Sequence, residues 1–166
     1  MIDLDALVAD GNFAENYGDM RPFACLLAGL VIACNAQVVL DIGSGTLNSG
    51  KAFLYGLEKT GGWLFTCDPE KKFDFAHRSL YFNQLTSQEL IKSWNMRIDI
   101  LFIDGDHGYE QVKFDYDMFS PFVKEGGFVV LHDTGFWAGP KELASEVDGV
   151  RKLIFLKNPG LTVFQK

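Results

Sequence analysis

The sequence predicts a doubly wound α/β protein, in which helices cover both faces of a mostly parallel sheet. Short, almost continuous apolar runs alternate with stretches of helical length, as in sheets that are buried on both faces. Gly, Pro and polar residues mark the ends of these runs. The chain has 166 residues, 48% hydrophobic and 22% charged, which fits one globular domain over 1–166.

The first half of the chain predicts two helices, two strands and a helix between the strands. Residues 2–9 and 21–34 have helical patterns, and Pro22 suits a first helical turn, where its missing N–H costs nothing. The run QVVLDIG is the first strand and GWLFTCD the second. The helix between them, LNSGKAFLYGLEK, is closed by Gly61 and Gly62.

The second half predicts three further strands and a terminal hairpin. SLYFNQ, DILFID and GFVVLHD are strands three to five, with helices over SQELIKSW and GYEQVKFDYDMFSPFV and a turn at KEGG. KLIFLK and LTVFQK form an antiparallel hairpin around 158–160, although KLIFLK could instead continue the preceding helix. The domain thus divides into N-terminal helices (1–35), a core (36–135) and a C-terminal helix with the hairpin (136–166).

Charge and cysteine usage exclude several classes of function. The net charge is -7 and no basic stripe is present, which disfavours nucleic acid as a partner and favours a small substrate. The three cysteines, Cys25, Cys34 and Cys67, have no CxxC spacing, so neither a zinc site nor a disulfide framework is expected. Buried thiols of this kind fit the reducing cytoplasm.

One apolar segment, residues 23–40, could be mistaken for a signal or membrane segment. Five acids and no Lys or Arg precede it, whereas a signal needs a basic region there. Asn35 and Gln37 also shorten the apolar run below membrane-spanning length. We expect a buried helix followed by a buried strand, and no association with a membrane.

A glycine-rich turn, VVLDIGSGTLNSG, follows the first strand. Gly43 and Gly45, on either side of Ser44, allow the backbone to approach a ligand closely, and the free N–H groups at the helix start favour a carboxylate or phosphate. Asp41 can accept a hydrogen bond from an ammonium or hydroxyl group. Asp68, which ends the second strand, is placed to bind a ribose diol.

This turn fits adenine dinucleotides and S-adenosylmethionine alike, or an ordinary strand-to-helix connection. A dinucleotide fingerprint places a third glycine where Asn48 stands. Ser49 can cap a helix that begins late. Both points favour S-adenosylmethionine over NAD.

Carboxylates also follow the fourth and fifth strands. Asp104 ends one strand, and His132 and Asp133 end the next, so they converge if the strands are neighbours. A divalent cation would relieve the repulsion between the two aspartates, because oxygen ligands suit Mg²⁺, Mn²⁺ or Ca²⁺. His132 as a third ligand favours Mn²⁺, although it could equally be a hydrogen-bonded histidine facing inward.

Asp106 and His107 lie on the loop just beyond Asp104. Either could take a proton from a substrate hydroxyl, and the pKa of a histidine is already near neutral. Alternatively, Asp104 and Asp106 cap the helix that begins at residue 108. The sequence does not choose between Asp106 and His107 as the base.

Taken together, these residues resemble the class I S-adenosylmethionine-dependent methyltransferases, which have a three-layer Rossmann-like fold. The resemblance covers about residues 36–135 and is greatest to metal-dependent O-methyltransferases of small molecules, of the catechol, macrolide-sugar and cephalosporin-hydroxylase-like types. The most specific stretch is FIDGDHGYEQVKFDYDMFSPFVKEGGFVVLHDT. The resemblance implies methyl transfer to a hydroxylated small molecule.

The resemblance also implies roles for individual residues. Asp41, Gly43 and Ser49 match the methionine end of the cofactor site, Asp68 the ribose hydroxyls, and Ser87 the adenine edge. Asp104 matches the first metal ligand, and His132 with Asp133 the pair after strand five. Asp106 stands where sugar-type relatives place a base, and His107 where catechol-type relatives place a lysine.

Three departures from the family pattern limit the resemblance. Leu47 occupies the usual third glycine position and is expected to crowd the cofactor loop. His132 replaces the commoner acid, and the short chain implies a substrate cap that is reduced or supplied by a second subunit of a homodimer. Phe136 and Trp137 could line a substrate site or simply pack.

The predicted function is metal-assisted O-methylation of a small hydroxylated molecule. A metal at Asp104, His132 and Asp133 would lower the pKa of the substrate hydroxyl. Two alternatives remain from the sequence. One is a cofactor-binding domain of the same fold without catalysis, and the other is an NAD-dependent oxidoreductase, which rests only on the shared fold.

Overall fold

A computed structural model describes residues 18–156 and 158–166, so the helix predicted at 2–9 lies outside the described residues. Seven strands form one sheet in the order β3-β2-β1-β4-β5-β7-β6. The strands are β1 (Val38–Ile42), β2 (Trp63–Cys67), β3 (Leu80–Asn83), β4 (Ile98–Ile103), β5 (Val123–His132), β6 (Arg151–Phe155) and β7 (Leu161–Gln165). The helices are α1 (Ala24–Ala33), α2 (Asn48–Thr60), α3 (Ser87–Leu90), α4 (Tyr109–Phe119) and α5 (Ala138–Glu146).

The sheet confirms the predicted fold class. Strands β1 to β5 pair in parallel, whereas β7 is antiparallel to both β5 and β6. The segment KLIFLK is therefore the first strand of the predicted hairpin and does not continue helix α5. All five predicted parallel strands are present at their predicted places.

Two apolar cores lie on the two faces of the sheet. One contains α1 and α2, with Leu27, Phe53 and Phe102 among its members, and the other contains residues of α4 and α5, with Val112 and Leu143. A sheet with a core on each face is the three-layer arrangement that the near-continuous apolar strands predict. It leaves the carboxyl ends of the parallel strands as the edge where loops can form a site.

Three local features differ from the sequence-based expectation. Helix α1 begins at Ala24, after Pro22 rather than around it. Helix α3 has a single turn, which Thr86 and Glu89 close with a reciprocal capping box. The KEGG segment is not a turn before β5 but part of that strand, where a shift in the pairing with β4 accommodates the extra residues as a bulge.

The apolar segment 23–40 forms helix α1 and strand β1, as predicted. None of the helices in the part of the chain that the structure describes is both long and apolar enough to cross a membrane. Cys25, Cys34 and Cys67 are free thiols.

Candidate functional site

A cavity of about 680 Å³ lies at the carboxyl ends of the parallel strands. Most of the predicted site residues line it, namely Gly43, Ser44, Gly45, Ser49, Asp68, Ser87, Asp104, Asp106, His107 and Asp133. Asp41 and His132 are not among the residues that line the cavity. The topology therefore brings the predicted strand-end residues to one place.

The glycine turn forms one wall of this cavity. Gly43 has a φ of 92°, and a Cβ there would lie 2.6 Å from the carbonyl carbon of Asp104, so only glycine lets the loops after β1 and β4 meet. A Cβ on Gly45 would meet no atom within 4 Å in the part of the chain that the structure describes. The Ser44 hydroxyl is buried beside the cavity and has no hydrogen-bond partner among the described residues, so it is free to bond a ligand.

Leu47 does not crowd the cavity, contrary to expectation. It adopts a left-handed conformation, with φ 66° and ψ 29°, in the position before helix α2. Its side chain is fully buried, and a Cβ on Gly50 would lie 2.5 Å from its Cδ1 atom. The left-handed backbone thus directs Leu47 into the core, in the space that Gly50 leaves, while the loop keeps the shape that a glycine would give it.

Asp41 is buried behind the glycine turn. Its Oδ2 accepts a hydrogen bond of 2.9 Å from the Ser49 hydroxyl, and its Oδ1 has no partner among the described residues. Burial raises the pKa of Asp41 well above the usual carboxyl range, with further contributions from the charges of Asp104 and Asp68. Asp41 thus fixes Ser49 in the first turn of α2, where Ser49 makes no N-terminal cap.

Asp68 connects the loops after β1 and β2. Its Oδ2 accepts a hydrogen bond from the backbone N–H of Gly45 (3.1 Å), and its Oδ1 accepts one from the backbone N–H of Glu70 (2.9 Å). These bonds hold the carboxylate at the cavity wall. A carboxylate has about four lone-pair positions, so it can accept further bonds from a ligand diol.

A cluster of two carboxylates and an imidazole lies at the ends of β4 and β5. The Nε2 atom of His107 is 2.7 Å from Oδ2 of Asp133, and ligand atoms of Asp104, His107 and Asp133 all lie within 4.8 Å of one another. Burial raises the pKa of Asp104, and the hydrogen bond from His132 only partly offsets this. The two aspartates converge as the sequence predicted.

His132 lies beside both aspartates and faces inward, which is one of the two alternatives that the sequence left open. Its Nδ1 atom lies 2.9 Å from Oδ1 of Asp104 and 3.4 Å from Oδ1 of Asp133, while its Nε2 atom is buried without a partner in the described part of the chain. The ring lies between Phe23 and Phe102, on the face of the sheet covered by α1, because the strand directs the side chain inward. Asp104 and Asp133 are therefore flanked by His107 at the cavity and by His132 on the core side.

The pKa of His132 reflects this position. Burial of the ring lowers it, but the hydrogen bond and the charge of Asp104, together with the charge of Asp133, outweigh burial and raise it above the ordinary value. His132 thus acts as a donor that holds Asp104 from behind.

Asp106 and His107, on the loop after Asp104, differ in their contacts. Asp106 is exposed and accepts a 2.6 Å hydrogen bond from the backbone N–H of Gly108, just before α4. The His107 ring stacks on Trp137 at 5.0 Å between ring centroids, and Trp137 packs edge-on against Phe136. Trp137 thus supports His107, and neither aromatic residue is among those that line the cavity.

Sequence reasoning missed a polar group at the other end of the cavity. It consists of Gln88 after β3 and of Gln111 and Asp115 on α4, beside the predicted Ser87. Asp115 is 1% exposed, and burial raises its pKa to about 6. A sequence signal existed, since Val112, Asp115 and Phe119 share the buried stripe of α4, where a carboxylate is unusual. Asp19, before α1, also lines the cavity and was missed.

Comparison with curated proteins gives one short match. An uncharacterised protein of Acanthamoeba polyphaga mimivirus is 50% identical over 36 residues, which are 22% of this chain and 16% of that protein. This match carries no functional information.

Several solved structures share the fold. A Staphylococcus aureus protein assigned as a caffeoyl-CoA O-methyltransferase superimposes with a TM-score of 0.74 at 14% identity, over 100% of this chain and 93% of that one. The O-methyltransferase of tomaymycin synthesis from Streptomyces achromogenes gives 0.69 at 14% identity, over 98% and 94%. The O-methyltransferase from Bacillus cereus gives 0.64 at 16% identity, over 98% and 88%. At these identities the likeness shows the fold.

A match to a protein family gives more information than the shared fold. Residues 40–134, more than half of the chain, match the sequence model of a family described as a methyltransferase domain. This range runs from β1 to the loop after β5 and contains all the strand ends that line the cavity. The chain therefore belongs to this family of methyltransferase domains.

Proposed function

We propose that the protein transfers a methyl group from S-adenosylmethionine to a hydroxyl oxygen of a small molecule. The observation that carries this proposal is the pairing of His107 with Asp133 at the edge of the cavity, in a chain of the methyltransferase-domain family. The Streptomyces and Bacillus O-methyltransferases of the same fold were solved with S-adenosylmethionine and with its demethylated product, respectively. This supports the same cofactor here.

The cofactor would lie along the cavity from the methyl-transfer end to the polar group on α4. The unpaired Ser44 hydroxyl and Ser49 suit the methionine carboxylate, and Asp41 would act by holding Ser49. Asp68 suits the ribose hydroxyls because it already stands at the cavity wall between β1 and β2. Asp104, His107 and Asp133 would then stand at the methyl-transfer end of the cofactor site.

His107 is the base in this proposal. The Nε2 atom of its ring lies 2.7 Å from Oδ2 of Asp133, so this carboxylate would stabilise the positive charge that the ring gains when it accepts the substrate proton. Asp106 is less suited, because its carboxylate already accepts the N–H of Gly108 at the start of α4. As the substrate oxygen attacks the methyl carbon, the carbon–sulfur bond breaks, the sulfur leaves as a neutral thioether, and the hydroxyl proton passes to His107.

The donor set of the cluster also fits a divalent cation. Two carboxylates and an imidazole, those of Asp104, Asp133 and His107, are ligands that Mn²⁺ accepts and that Mg²⁺ accepts in part. A bound cation would lower the pKa of the substrate hydroxyl, and His107 would then be a ligand rather than the base. Equilibrium dialysis against Mn²⁺ tests this directly: one ion per chain, lost in Asp104→Asn, supports the site, and no binding above that variant rejects it.

Methyl-transfer kinetics with His107→Gln test the proposed base. We expect kcat on a hydroxylated substrate to fall by about 10² to 10⁴, as for other general bases, while the affinity for S-adenosylhomocysteine stays within about threefold. His77→Gln is the matched control, because His77 pairs with Glu58 on the surface and should leave kcat unchanged. An unchanged kcat in His107→Gln with a loss in Asp106→Asn would assign the base to Asp106.

Two results would reject the function as a whole. Failure of the protein to bind S-adenosylhomocysteine would remove the cofactor from the proposal. Binding without turnover on any hydroxylated compound would support a cofactor-binding domain without catalysis.

A cytoplasmic location and a homodimer also belong to this proposal. The three free thiols fit a reducing compartment. Small-angle scattering in solution would distinguish a monomer from a dimer.

A further inference from the structure

We propose that Asp115 recognises the adenine ring of the cofactor by accepting a hydrogen bond from its exocyclic amine. This inference rests on the proposed function, which supplies a cofactor that contains adenine. It assigns to helix α4 a role in selecting the base, in addition to its role in covering the sheet.

The side chains around Asp115 leave it as the acceptor for a ligand. The side-chain amide nitrogen of Gln111 donates one hydrogen to Asp115 (2.8 Å) and the other to the hydroxyl of Ser87 (3.1 Å). Both hydrogens of this nitrogen are therefore used. The carbonyl oxygen of Gln111 accepts a bond from Gln88. Gln111 is thus fixed by its neighbours, whereas a carboxylate bonded to Gln111 and Ser87 can still accept further hydrogen bonds.

The position of Asp115 in the cavity matches the base end of the cofactor. The reacting cluster lies at the ends of β4 and β5, and Asp68 lies at the end of β2. Ser87, which contacts the polar group of Asp115, follows β3 at the other side of the sheet. A cofactor with its methyl group at the cluster and its ribose at Asp68 therefore places its base beside Ser87 and Asp115.

The buried carboxylate of Asp115 favours a ligand that presents an amine. A buried carboxylate loses its hydration and is stabilised only by donors, and Lys72 is the one lysine or arginine among the described residues that line the cavity. Lys72 pairs with Glu70, beyond Asp68. The exocyclic amine of adenine is a neutral donor, so it can form a hydrogen bond to the carboxylate of Asp115. A carbonyl oxygen at the same ring position carries a partial negative charge, and the carboxylate would repel it.

A purely structural role explains Asp115 less well. It lies between Val112 and Phe119 on the buried stripe of α4, where an apolar residue would pack without loss of hydration. Burial raises its pKa to about 6, which shows that the fold alone disfavours the ionised form. A ligand that donates to the carboxylate would compensate this cost.

Calorimetric titration with two ligands tests the inference. The ligands are S-adenosylhomocysteine and S-inosylhomocysteine, in which a carbonyl replaces the amine. We expect the wild type to bind the adenosyl compound at least about tenfold more tightly, the effect of one buried hydrogen bond. In Asp115→Asn, whose amide can donate to the carbonyl, the preference should shrink to less than about threefold.

A matched control and a separate readout keep the test decisive. Asp117→Asn, on the exposed side of the same helix, should keep the tenfold preference, since Asp117 pairs with Lys113 at the surface. The wild-type preference is informative even if Asp115→Asn does not fold. Binding of both ligands with equal affinity, or an undiminished preference in Asp115→Asn, overturns the inference alone, whereas binding of neither ligand to the wild type overturns the proposed function with it.

Discussion

The two histidines near the cavity show how burial assigns different roles to the same side chain. The His107 side chain is 35% exposed and lines the cavity, with its Nε2 atom 2.7 Å from Oδ2 of Asp133. The His132 side chain is fully buried, bonds Asp104 and lies 3.4 Å from Asp133, so it holds both carboxylates from the core side. The sequence placed both beside a carboxylate, but it could not tell which ring faces the cavity, because this depends on the packing of α1 through Phe23.

Asp115 gives a prediction about stability and pH. Its pKa is raised from 3.8 in the unfolded chain to about 6 in the fold, so its contribution to stability is fully present below pH 3.8 and is lost as the pH rises through 6. Asp115→Asn does not titrate, so its unfolding free energy relative to the wild type should rise by about 2 kcal/mol between pH 4.5 and pH 7. Urea unfolding of both proteins at these two pH values measures the difference.

The gain at pH 7 should come with weaker binding of the cofactor, since a group that binds a ligand often lowers stability. If the difference in unfolding free energy between the wild type and Asp115→Asn did not change with pH, the pKa of Asp115 would not be raised in the fold.

At the scale of elements, the loops after the parallel strands depend on residues that allow close approach. Gly43 lets the loops after β1 and β4 touch, and Leu47 takes the left-handed conformation that the turn requires because Gly50 provides space for its side chain. The sequence marks Gly43 by its pattern. It does not reveal the compensation between Leu47 and Gly50, because that contact forms only when α2 packs on the sheet.

Helix α5 gives a prediction at this scale. A Cβ on Gly139 would collide with the carbonyl oxygen of His107 and lie 2.6 Å from the nitrogen of Tyr109, so α5 abuts the loop that carries the proposed base. Gly139→Ala should displace this loop and lower kcat by about tenfold or more, since a small misplacement is costly in catalysis. Steady-state kinetics together with thermal unfolding would separate this effect from a loss of fold.

Gly29→Ala is the control for this substitution. Gly29 lies in helix α1, where a Cβ would meet no atom of the described residues within 4 Å. Alanine there should raise stability by up to about 1 kcal/mol and leave kcat unchanged. If Gly139→Ala also kept full activity, α5 would not position His107.

For the molecule as a whole, one cavity connects the ends of five strands and helix α4. Its charged lining is mostly acidic, with Asp19, Asp68, Asp104, Asp106, Asp115 and Asp133 against Lys72. Such a lining disfavours highly anionic substrates, in keeping with the net charge of -7. It suits the positive sulfonium of the proposed cofactor.

Ligand binding in this cavity should stabilise the entire fold. S-adenosylhomocysteine at about 100 times its dissociation constant should add about 2.7 kcal/mol to the unfolding free energy, because it binds the folded state. For a chain of this size, Tm should rise by about 5 to 10 °C, measured by differential scanning fluorimetry. NADH is the comparison ligand and should cause no shift, so an equal shift with NADH would favour a dinucleotide site.

The sequence by itself determined the fold class, the five parallel strands, the hairpin and the strand ends that line the cavity. It could do so because apolar runs and glycine turns are local signals, and because the carboxyl ends of parallel strands meet at one edge. The tertiary structure alone decided that His107 faces the cavity at Asp104 and Asp133 while His132 faces the core behind them, that Asp41 stands behind Ser49, and that Asp115 reaches the cavity. Those three outcomes depend on which face of a strand or helix is covered, and only the packing of α1, α2 and α4 on the sheet fixes that.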